Sequence, residues 1–256
     1  MEVTFATAGS LKNIVDALRG LLTYATFDCN ADGLHLQSMD SEHVALVDLR
    51  LKRAGFARYT CERKLSFSVP MRGLHKIVRA ATTNKQLTMR ASARDDQVHF
   101  AFETAERTVT CALSQISLDV ERLGVPDDDE YDCVLAVASD AWARVCSDLA
   151  QLDATVVELS SGAAGLCFAA DAGDGVRANV LLRAAPQRPL TQAFACRYLN
   201  AFGQTAPLSK FVDVCMSADA PLRLRFCLER LGKLDLYLAP QVSSGAKDGQ
   251  YNGRFA

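Results

Sequence analysis

The sequence lacks several signatures that mark common classes of protein. No apolar run approaches the roughly 20 residues that a membrane-spanning helix needs. The opening MEVTFATAG has no basic segment followed by an apolar block, so we expect no signal peptide and an intracellular protein. No CxxC pair, zinc-ligand spacing, P-loop or glycine-rich nucleotide fingerprint is present. The sequence therefore predicts no membrane association, no metal and no cofactor.

An excess of positive charge is also missing. The chain has 28 Lys and Arg against 30 Asp and Glu, a formal net charge of −2. Because most nucleic-acid-binding domains are basic, this total alone argues against such a function. The 256 residues, 49% of them apolar, are enough for one large domain or two ordinary ones. Nine cysteines, an odd number and mostly in apolar segments, favour buried thiols in a reducing compartment.

The two halves of the chain repeat one pattern. The segments from Val3 to Asp40 and from Val134 to Asp171 have the same length and the same order of strand-like, helix-like and strand-like stretches. A second match aligns two sets of apolar residues at equal spacings, namely Leu65, Val69, Leu74 and Ile77 with Leu190, Phe194, Leu199 and Phe202. A repeat of this size indicates a duplicated domain rather than a solenoid.

Strands are predicted where apolar and polar residues alternate, as in residues 45–52, 98–103 and 222–229. This period-two pattern is typical of antiparallel sheets with one buried face and one face in water. Turns are expected at residues 30–33 and 173–175, which are rich in Asn, Asp and Gly. Together with the helix-like stretches, the pattern predicts an α+β fold.

Four stretches, residues 10–22, 71–81, 140–149 and 191–202, have the apolar spacing of amphipathic helices. Their polar faces share a positive sign, although Asp16, Asp140 and Asp148 are exceptions, and acids cluster elsewhere at 127–130. The cations are Lys12, Arg19, Arg72, Lys76, Arg79, Arg144 and Arg197. A solvated surface is the simpler explanation for any single helix. The common sign favours one surface that holds an anion.

Five motifs then carry a resemblance to a known family. LQSMDSEHVALVDLRL, LDVERLGVP, RYLNAFGQTAPLS, MSADAPL and LYLAP occur in this order between Gly9 and Pro240. Together they resemble the eukaryotic-type DNA sliding clamp, proliferating cell nuclear antigen. The resemblance implies a non-enzymatic processivity factor of the nucleus, a homotrimeric ring with sheets outside and helices lining a hole around double-stranded DNA. The implied clamp domains are residues 1–116 and 131–242, joined by a connector at 117–130, with a disordered tail at 243–256.

The resemblance also assigns residues to three surfaces. The helix cations above, with Lys210 as partial compensation in the second domain, would face DNA. A groove for peptides of DNA polymerase, clamp loader, flap endonuclease, DNA ligase and other docking proteins would be formed by Met39, His43, Val44, Leu46, Leu123, Val125, Pro221, Tyr237, Ala239 and Pro240. The subunit contact would pair Thr108, Val109, Thr110, Cys111, Ala112 and Leu113 with Val176, Arg177, Ala178, Asn179, Val180, Leu181 and Leu182.

The sequence departs from the family pattern at several positions. Ala163 aligns with the lysine that usually accepts ubiquitin, so modification there is in doubt. Ser147 and Gln204 replace two basic lining residues, so the second domain is expected to present fewer cations.

Two alternatives stay open at this point. The chain could be one subunit of a heterotrimeric checkpoint-type clamp, although the close motif agreement in the groove argues against it, and the mass of the purified chain alone would decide. Ser38, Asp40 and His43 could instead be the nucleophile, acid and base of a hydrolase. Residues so close together on one loop rarely reach the geometry of a catalytic triad, which requires hydrogen-bonded side chains around a substrate. The polar residues of this loop are therefore predicted to stabilise a turn.

Overall fold

The computed structural model describes residues 1–81, 85–104, 106–118, 123–126, 131–185 and 187–241. The predicted acidic run at 127–130, part of the predicted connector and the predicted tail lie outside these residues. The described chain divides into two compact units. The first comprises Met1–Glu121 and Leu228–Leu234, and the second comprises Arg122–Cys227 and the residues from Asp235 onwards.

The first unit contains two helices and two sets of antiparallel strands. Its elements are β1 (Glu2–Phe5), α1 (Ala8–Leu18), β2 (Tyr24–Cys29), β3 (Gly33–Met39), β4 (Ala45–Lys52), β5 (Arg58–Thr60), β6 (Leu65–Pro70), α2 (Met71–Ala80), β7 (Leu87–Arg90), β8 (Gln97–Glu103) and β9 (Thr108–Ser114). One sheet has the strand order β5-β1-β7-β8-β9, and β4, β3, β2 and β6 are consecutive neighbours in another. The buried faces carry the apolar core of the unit.

The second unit repeats this plan. Its elements are β10 (Cys133–Ala138), α3 (Ser139–Gln151), β11 (Val156–Gly162), β12 (Gly165–Asp171), β13 (Arg177–Arg183), β14 (Leu190–Ala195), α4 (Cys196–Gly203), β15 (Phe211–Ser217), β16 (Ala220–Leu228) and β17 (Gly232–Leu238), although β16 and β17 include residues of the first unit. One sheet has the order β13-β12-β11-β14, and β10, β15 and β16 are consecutive neighbours in another. The fold is α+β with antiparallel sheets, as predicted.

The predicted duplication is confirmed in detail. The order β1-α1-β2-β3 recurs as β10-α3-β11-β12, and β6-α2 recurs as β14-α4. Gly33 and Gly165 begin the equivalent strands with positive φ angles of 151° and 124°. A Cβ atom on Gly33 would lie 2.0 Å from the carbonyl oxygen of Leu51, and one on Gly165 would lie 2.2 Å from that of Leu182. Both copies therefore require glycine at the same place for the same steric reason.

The predicted helices are present, but two of them differ from the prediction by more than two residues at one end. The first helix begins at Ala8 and ends at Leu18, before the predicted end at Leu22. The predicted helix at 191–202 is wrong over its first half, because Thr191–Ala195 belongs to β14 and α4 begins only at Cys196. The buried Phe194 stands four residues before Tyr198, so a strand residue happened to continue the helical spacing.

Strand β8 has one buried face and one face with exposed side chains, as predicted. The same prediction is wrong for parts of β4 and β16. Leu46, Asp48 and Arg223, all placed on wet faces by the alternation, are between 1% and 3% exposed. The Arg223 guanidinium lies 4.3 Å from the Tyr131 ring centroid and donates to Cys215 Sγ at 3.4 Å. Both strands are therefore covered on both faces here, and the buried charges have polar or aromatic partners.

The nine thiols are free, and five of them, Cys29, Cys133, Cys146, Cys196 and Cys215, are buried. Burial raises the pKa of Cys29 to about 12, so this thiol stays protonated at neutral pH and packs as an apolar group. Cys227 is exposed. Among the described residues, no helix combines the length and apolar character needed to cross a membrane.

Candidate functional site

Three exposed cations form a ridge along α2. The helix follows β6 without a loop, and its buried side consists of Met71, Leu74, Ile77 and Val78. Arg72, Lys76 and Arg79 lie on the opposite side at successive turns, and all three are exposed. Within the described chain, none of these three side chains has an ion-pair partner. This α2 ridge (Arg72, Lys76 and Arg79) therefore presents uncompensated positive charge.

Helix α1 adds two cations to the first unit. Arg19 is exposed just after the helix, and Lys12 is half-buried on it. Asp16, the acidic exception on this helix, lies 3.0 Å from His75 Nε2 on α2. The carboxylate is thus engaged in the contact between the two helices. All five cations predicted for this unit are on or beside these packed helices.

Three of the predicted cations, Arg144, Arg197 and Lys210, lie in the second unit. Arg144 is exposed on α3, with Nε donating to the Asp140 carbonyl at 3.1 Å, and Arg197 is exposed on α4 over the Tyr198 ring, 4.9 Å from its centroid. Lys210 is exposed before β15, and its carbonyl accepts a hydrogen bond from the backbone of α3 at 3.0 Å. Lys210 therefore lies near the start of α3.

The loop after β3 is organised by one carboxylate. Asp40, only 7% exposed, accepts hydrogen bonds from the backbone N–H groups of Glu42 at 3.1 Å and of Val44 and Ala45 at 2.8 Å each. The same loop holds His43 in a left-handed conformation with φ of 57°, its side chain exposed. Asp stabilises tight turns by this kind of side-chain to backbone bond. The Asp40 loop (residues 40–45) is therefore a fixed scaffold for its side chains.

The hydrolase alternative receives no support from this geometry. The carboxylate of Asp40 is occupied by backbone donors of its own loop, and the Ser38 hydroxyl donates to the Met39 carbonyl at 3.4 Å. An acid and a nucleophile used in this way stabilise the chain rather than each other. The polar residues of the motif form a turn, as predicted.

The predicted groove residues differ in how much surface they offer. Leu46 and Tyr237 are each 1% exposed and belong to the cores of their units, so they have no side-chain surface for a ligand in the isolated chain. His43 is exposed. The others, each described within its own unit, are half-buried, namely Met39 and Val44 in the first, and Leu123, Val125, Pro221, Ala239 and Pro240 in the second.

Strands β9 and β13 lie at the ends of their sheets. Within the described chain β9 pairs only with β8, and β13 only with β12. Both strands alternate between exposed and half-buried residues. The outward side chains of β9 are small, whereas β13 presents Arg177, Asn179, Leu181 and Arg183, and Leu181 is 46% exposed. The predicted interface residue Val176 precedes β13 and is 45% exposed. An open strand edge is a template for pairing with another chain.

A second group of cations was not predicted from the sequence. Arg63 and Lys64 follow β5, Arg90 ends β7, and Arg94 lies in the next loop. Because these pairs are far apart along the chain, no periodicity connects them. Only the pairing of β1 with both β5 and β7 brings their loops together.

Comparisons with known proteins cover nearly the whole chain. The family model for the proliferating cell nuclear antigen N-terminal domain matches residues 1–122, and the model for its C-terminal domain matches residues 124–241. A probable DNA polymerase sliding clamp of Orgyia pseudotsugata multicapsid polyhedrosis virus is 65% identical over 250 residues, which is 98% of this chain and 100% of the relative.

More distant relatives agree. A probable DNA polymerase sliding clamp of Autographa californica nuclear polyhedrosis virus is 36% identical over 94% of this chain and 96% of its own. Proliferating cell nuclear antigen 2 of Drosophila melanogaster is 35% identical over 95% of this chain and 98% of its own. The predictions of the family and of a non-enzymatic protein are confirmed. The chain belongs to the proliferating cell nuclear antigen family of DNA polymerase sliding clamps.

Proposed function

We propose that three copies of this DNA polymerase sliding clamp close into a ring around duplex DNA, with the helices toward the DNA and the sheets outside. The α2 ridge carries the proposal, since it sets three unpaired cations opposite a buried apolar face. Lys and Arg contacts to phosphates are independent of base sequence and weaken with salt. A protein that slides needs contacts of this kind. Retention on DNA would then depend on ring closure rather than on affinity.

The DNA-facing role is tested by changing the α2 ridge to alanine. Binding to short linear duplexes should weaken, and the slope of log K against log salt should fall by about 0.9 for each phosphate that is no longer neutralised. Rings loaded on closed circular DNA should still resist a salt wash that removes them from linear DNA. A control removes the same charge from exposed positions elsewhere in the first unit, through Lys52→Ala, Arg53→Ala and Arg230→Ala.

Two results would overturn this role. One is release from circular DNA as fast as from linear DNA. The other is an equal loss of affinity in the control and the α2 ridge variant.

The ring itself is proposed to form by pairing β9 of one copy with β13 of the next. The two open edges support this, because pairing them would satisfy both with backbone hydrogen bonds. Sedimentation equilibrium of the purified chain should give three times 27.8 kDa. Leu181→Glu on β13 should dissociate the ring, whereas Leu152→Glu, at a similarly exposed leucine after α3, should not. A purified chain that needs other clamp subunits to assemble would contradict the homotrimer.

Polymerase, clamp loader, flap endonuclease and ligase are proposed to dock through short peptides with a glutamine and paired aromatic residues. Support comes from the Asp40 loop, which fixes His43 and the half-buried Val44 in a defined conformation. Preformed apolar surfaces of this kind receive aromatic anchors in peptide recognition. The compartment of this activity is proposed to be the nucleus.

Docking is tested with a fluorescent peptide of that pattern. Val44→Asp should weaken binding at least about tenfold, because it puts a charge where an apolar anchor is expected. Val156→Asp, a change at an exposed valine of β11, serves as the matched control. Unchanged affinity in the Val44 variant would remove the loop from the docking site.

A further inference from the structure

An open pocket of about 490 Å³ lies at one end of the first unit. Its lining includes four cations, Arg63, Lys64, Arg90 and Arg94, and two carboxylates, Glu2 and Glu62. We call this feature the basic pocket. None of its residues belongs to the DNA-facing, docking or subunit-contact sets described above.

The sheet register explains why these loops meet. Glu2 on β1 is paired with Thr60 on β5 on one side and with Arg90 on β7 on the other. The chain after Thr60 carries Arg63 and Lys64, and the chain after Arg90 carries Arg94. The two loops therefore leave β5 and β7, on either side of β1, at the same end of the strands, and both contribute to the pocket lining.

Two carboxylates in or beside the pocket are already engaged. Glu2 Oε2 accepts from Arg90 Nε at 2.9 Å, and Asp95 Oδ2 lies 2.8 Å from His99 Nε2. The hydrogen bond with His99 holds the pKa of the Asp95 carboxyl below its usual value.

The other pocket cations are left without such partners. Arg63, Lys64 and Arg94 are exposed, and no carboxylate of the described chain lies within ion-pair distance of their side chains. The pocket therefore has an excess of positive charge that its own acids do not cancel.

The pocket lies at the opposite end of the strands from the start of α2 and from the Asp40 loop. Strand β6 starts at the pocket residue Leu65 and ends at Pro70, where α2 begins. Leu65 is paired with Cys29, which is paired with Leu34, so Met39 is at the far end of β3. At about 3.3 Å per residue, each of these strands covers roughly 17 Å. A ligand in the pocket would leave the start of α2 and the Asp40 loop uncovered.

We propose that the basic pocket binds an acidic peptide segment of a partner protein, with its carboxylates paired to Arg63, Lys64 and Arg94. The planar guanidinium group matches a carboxylate with two parallel hydrogen bonds, and three of the four pocket cations are arginines. The volume lies in the range of compact ligand sites. Nucleic acid fits less well, because each residue of its backbone carries a negative charge that Glu2 and Glu62 would repel, whereas a peptide can place a neutral backbone N–H donor against Glu62.

The test uses the assembled protein and a fluorescent peptide of alternating aspartate and glutamate flanked by glycine. The double change Arg63→Glu and Arg94→Glu should weaken binding about tenfold or more, since it replaces two attractive contacts with repulsive ones. Arg53→Glu, at an exposed arginine outside the pocket, should change binding less than about twofold in salt of about 0.15 M, because exposed charges farther apart than the Debye length of about 8 Å are largely screened. Both variants should keep normal retention on circular DNA, which shows that they fold and assemble.

Three outcomes would overturn the proposal. The unchanged protein could fail to bind the peptide at low salt. The pocket variant and the Arg53 variant could lose affinity equally, which would indicate only a general effect of charge. A single-stranded oligonucleotide could bind in place of the peptide and lose affinity in the pocket variant, which would make the pocket a nucleic-acid site. A failure of the ring proposal would appear instead in the DNA-retention measurement.

Discussion

Removal of the Asp40 carboxylate should unfold the loop that carries the predicted docking residues. The three N–H groups that it binds differ in burial. The bond to Ala45 is fully buried, and the bonds to Glu42 and Val44 are partly exposed. In Asp40→Ala, the Ala45 donor loses its partner where water cannot replace it, at a cost of about 1–3 kcal/mol. Water can partly replace the carboxylate at the N–H groups of Glu42 and Val44, so the loss of these two bonds should cost about 0.5–1 kcal/mol each.

The expected loss in the free energy of unfolding is therefore about 2–5 kcal/mol for Asp40→Ala. Asp40→Asn should lose only about 1 kcal/mol, because its amide oxygen can keep the two bonds that Oδ1 makes to Val44 and Ala45. Urea unfolding at one fixed protein concentration measures both values, since assembly makes stability concentration-dependent. Ser41→Ala, at an exposed neighbour on the same loop, is the control.

The order of the variants is the critical result. If Asp40→Ala were as stable as Ser41→Ala, or if the Asn and Ala variants were equally unstable, the carboxylate would not organise the loop. The same two variants should lose docking-peptide affinity in the same order as they lose stability.

Two further predictions concern the pH dependence of stability and the repeated glycine. Burial opposes ionisation of Asp48, but hydrogen bonds from His35 and Arg50 outweigh it and hold its pKa below the ordinary value. The Asp48 carboxylate should stabilise the fold above pH of about 4, and this contribution should vanish as pH falls through the lower pKa of the folded state. The variant Asp48→Asn should therefore show a flatter dependence of stability on pH in this range of an acid unfolding curve. An unchanged curve would contradict the stabilising role of Asp48. Gly165→Ala should cost at least about 2 kcal/mol in urea unfolding, because of its positive φ and the collision with the β13 backbone, whereas Gly162→Ala, with open space around its Cβ, should cost less than half as much.

The duplicated architecture could be predicted from the sequence because it depends on local spacing. The apolar positions that matched between the halves, such as Leu74 and Leu199, lie on the buried sides of the equivalent helices α2 and α4. The α2 ridge was predicted for the same reason, since three cations on one helix face follow from the helical period alone. The turn role of Asp40 followed from its position between two strands.

Features that depend on nonlocal pairing were not accessible in this way. The burial of Asp48 follows from side chains on neighbouring strand positions, and the burial of Arg223 follows from the ring of Tyr131, far away in sequence. The period-two pattern in the sequence shows that both residues are polar, but it does not show that they are buried. The basic pocket is a clearer case, because its two loops become neighbours only through β1, and no short window of sequence contains both.

The two different edge strands, β9 and β13, give the chain a head and a tail, so copies join in one direction only. If β9 joins β13 of the next copy, every partial assembly keeps one free head and one free tail, so the same contact could extend into a filament unless the turn per subunit closes the circle. When a closed ring opens at one subunit contact, the free β9 and β13 edges still belong to one connected assembly. Rejoining is then intramolecular, at an effective concentration that short tethers can raise to the millimolar range. A transient gap for the entry of DNA would therefore not lead to loss of subunits.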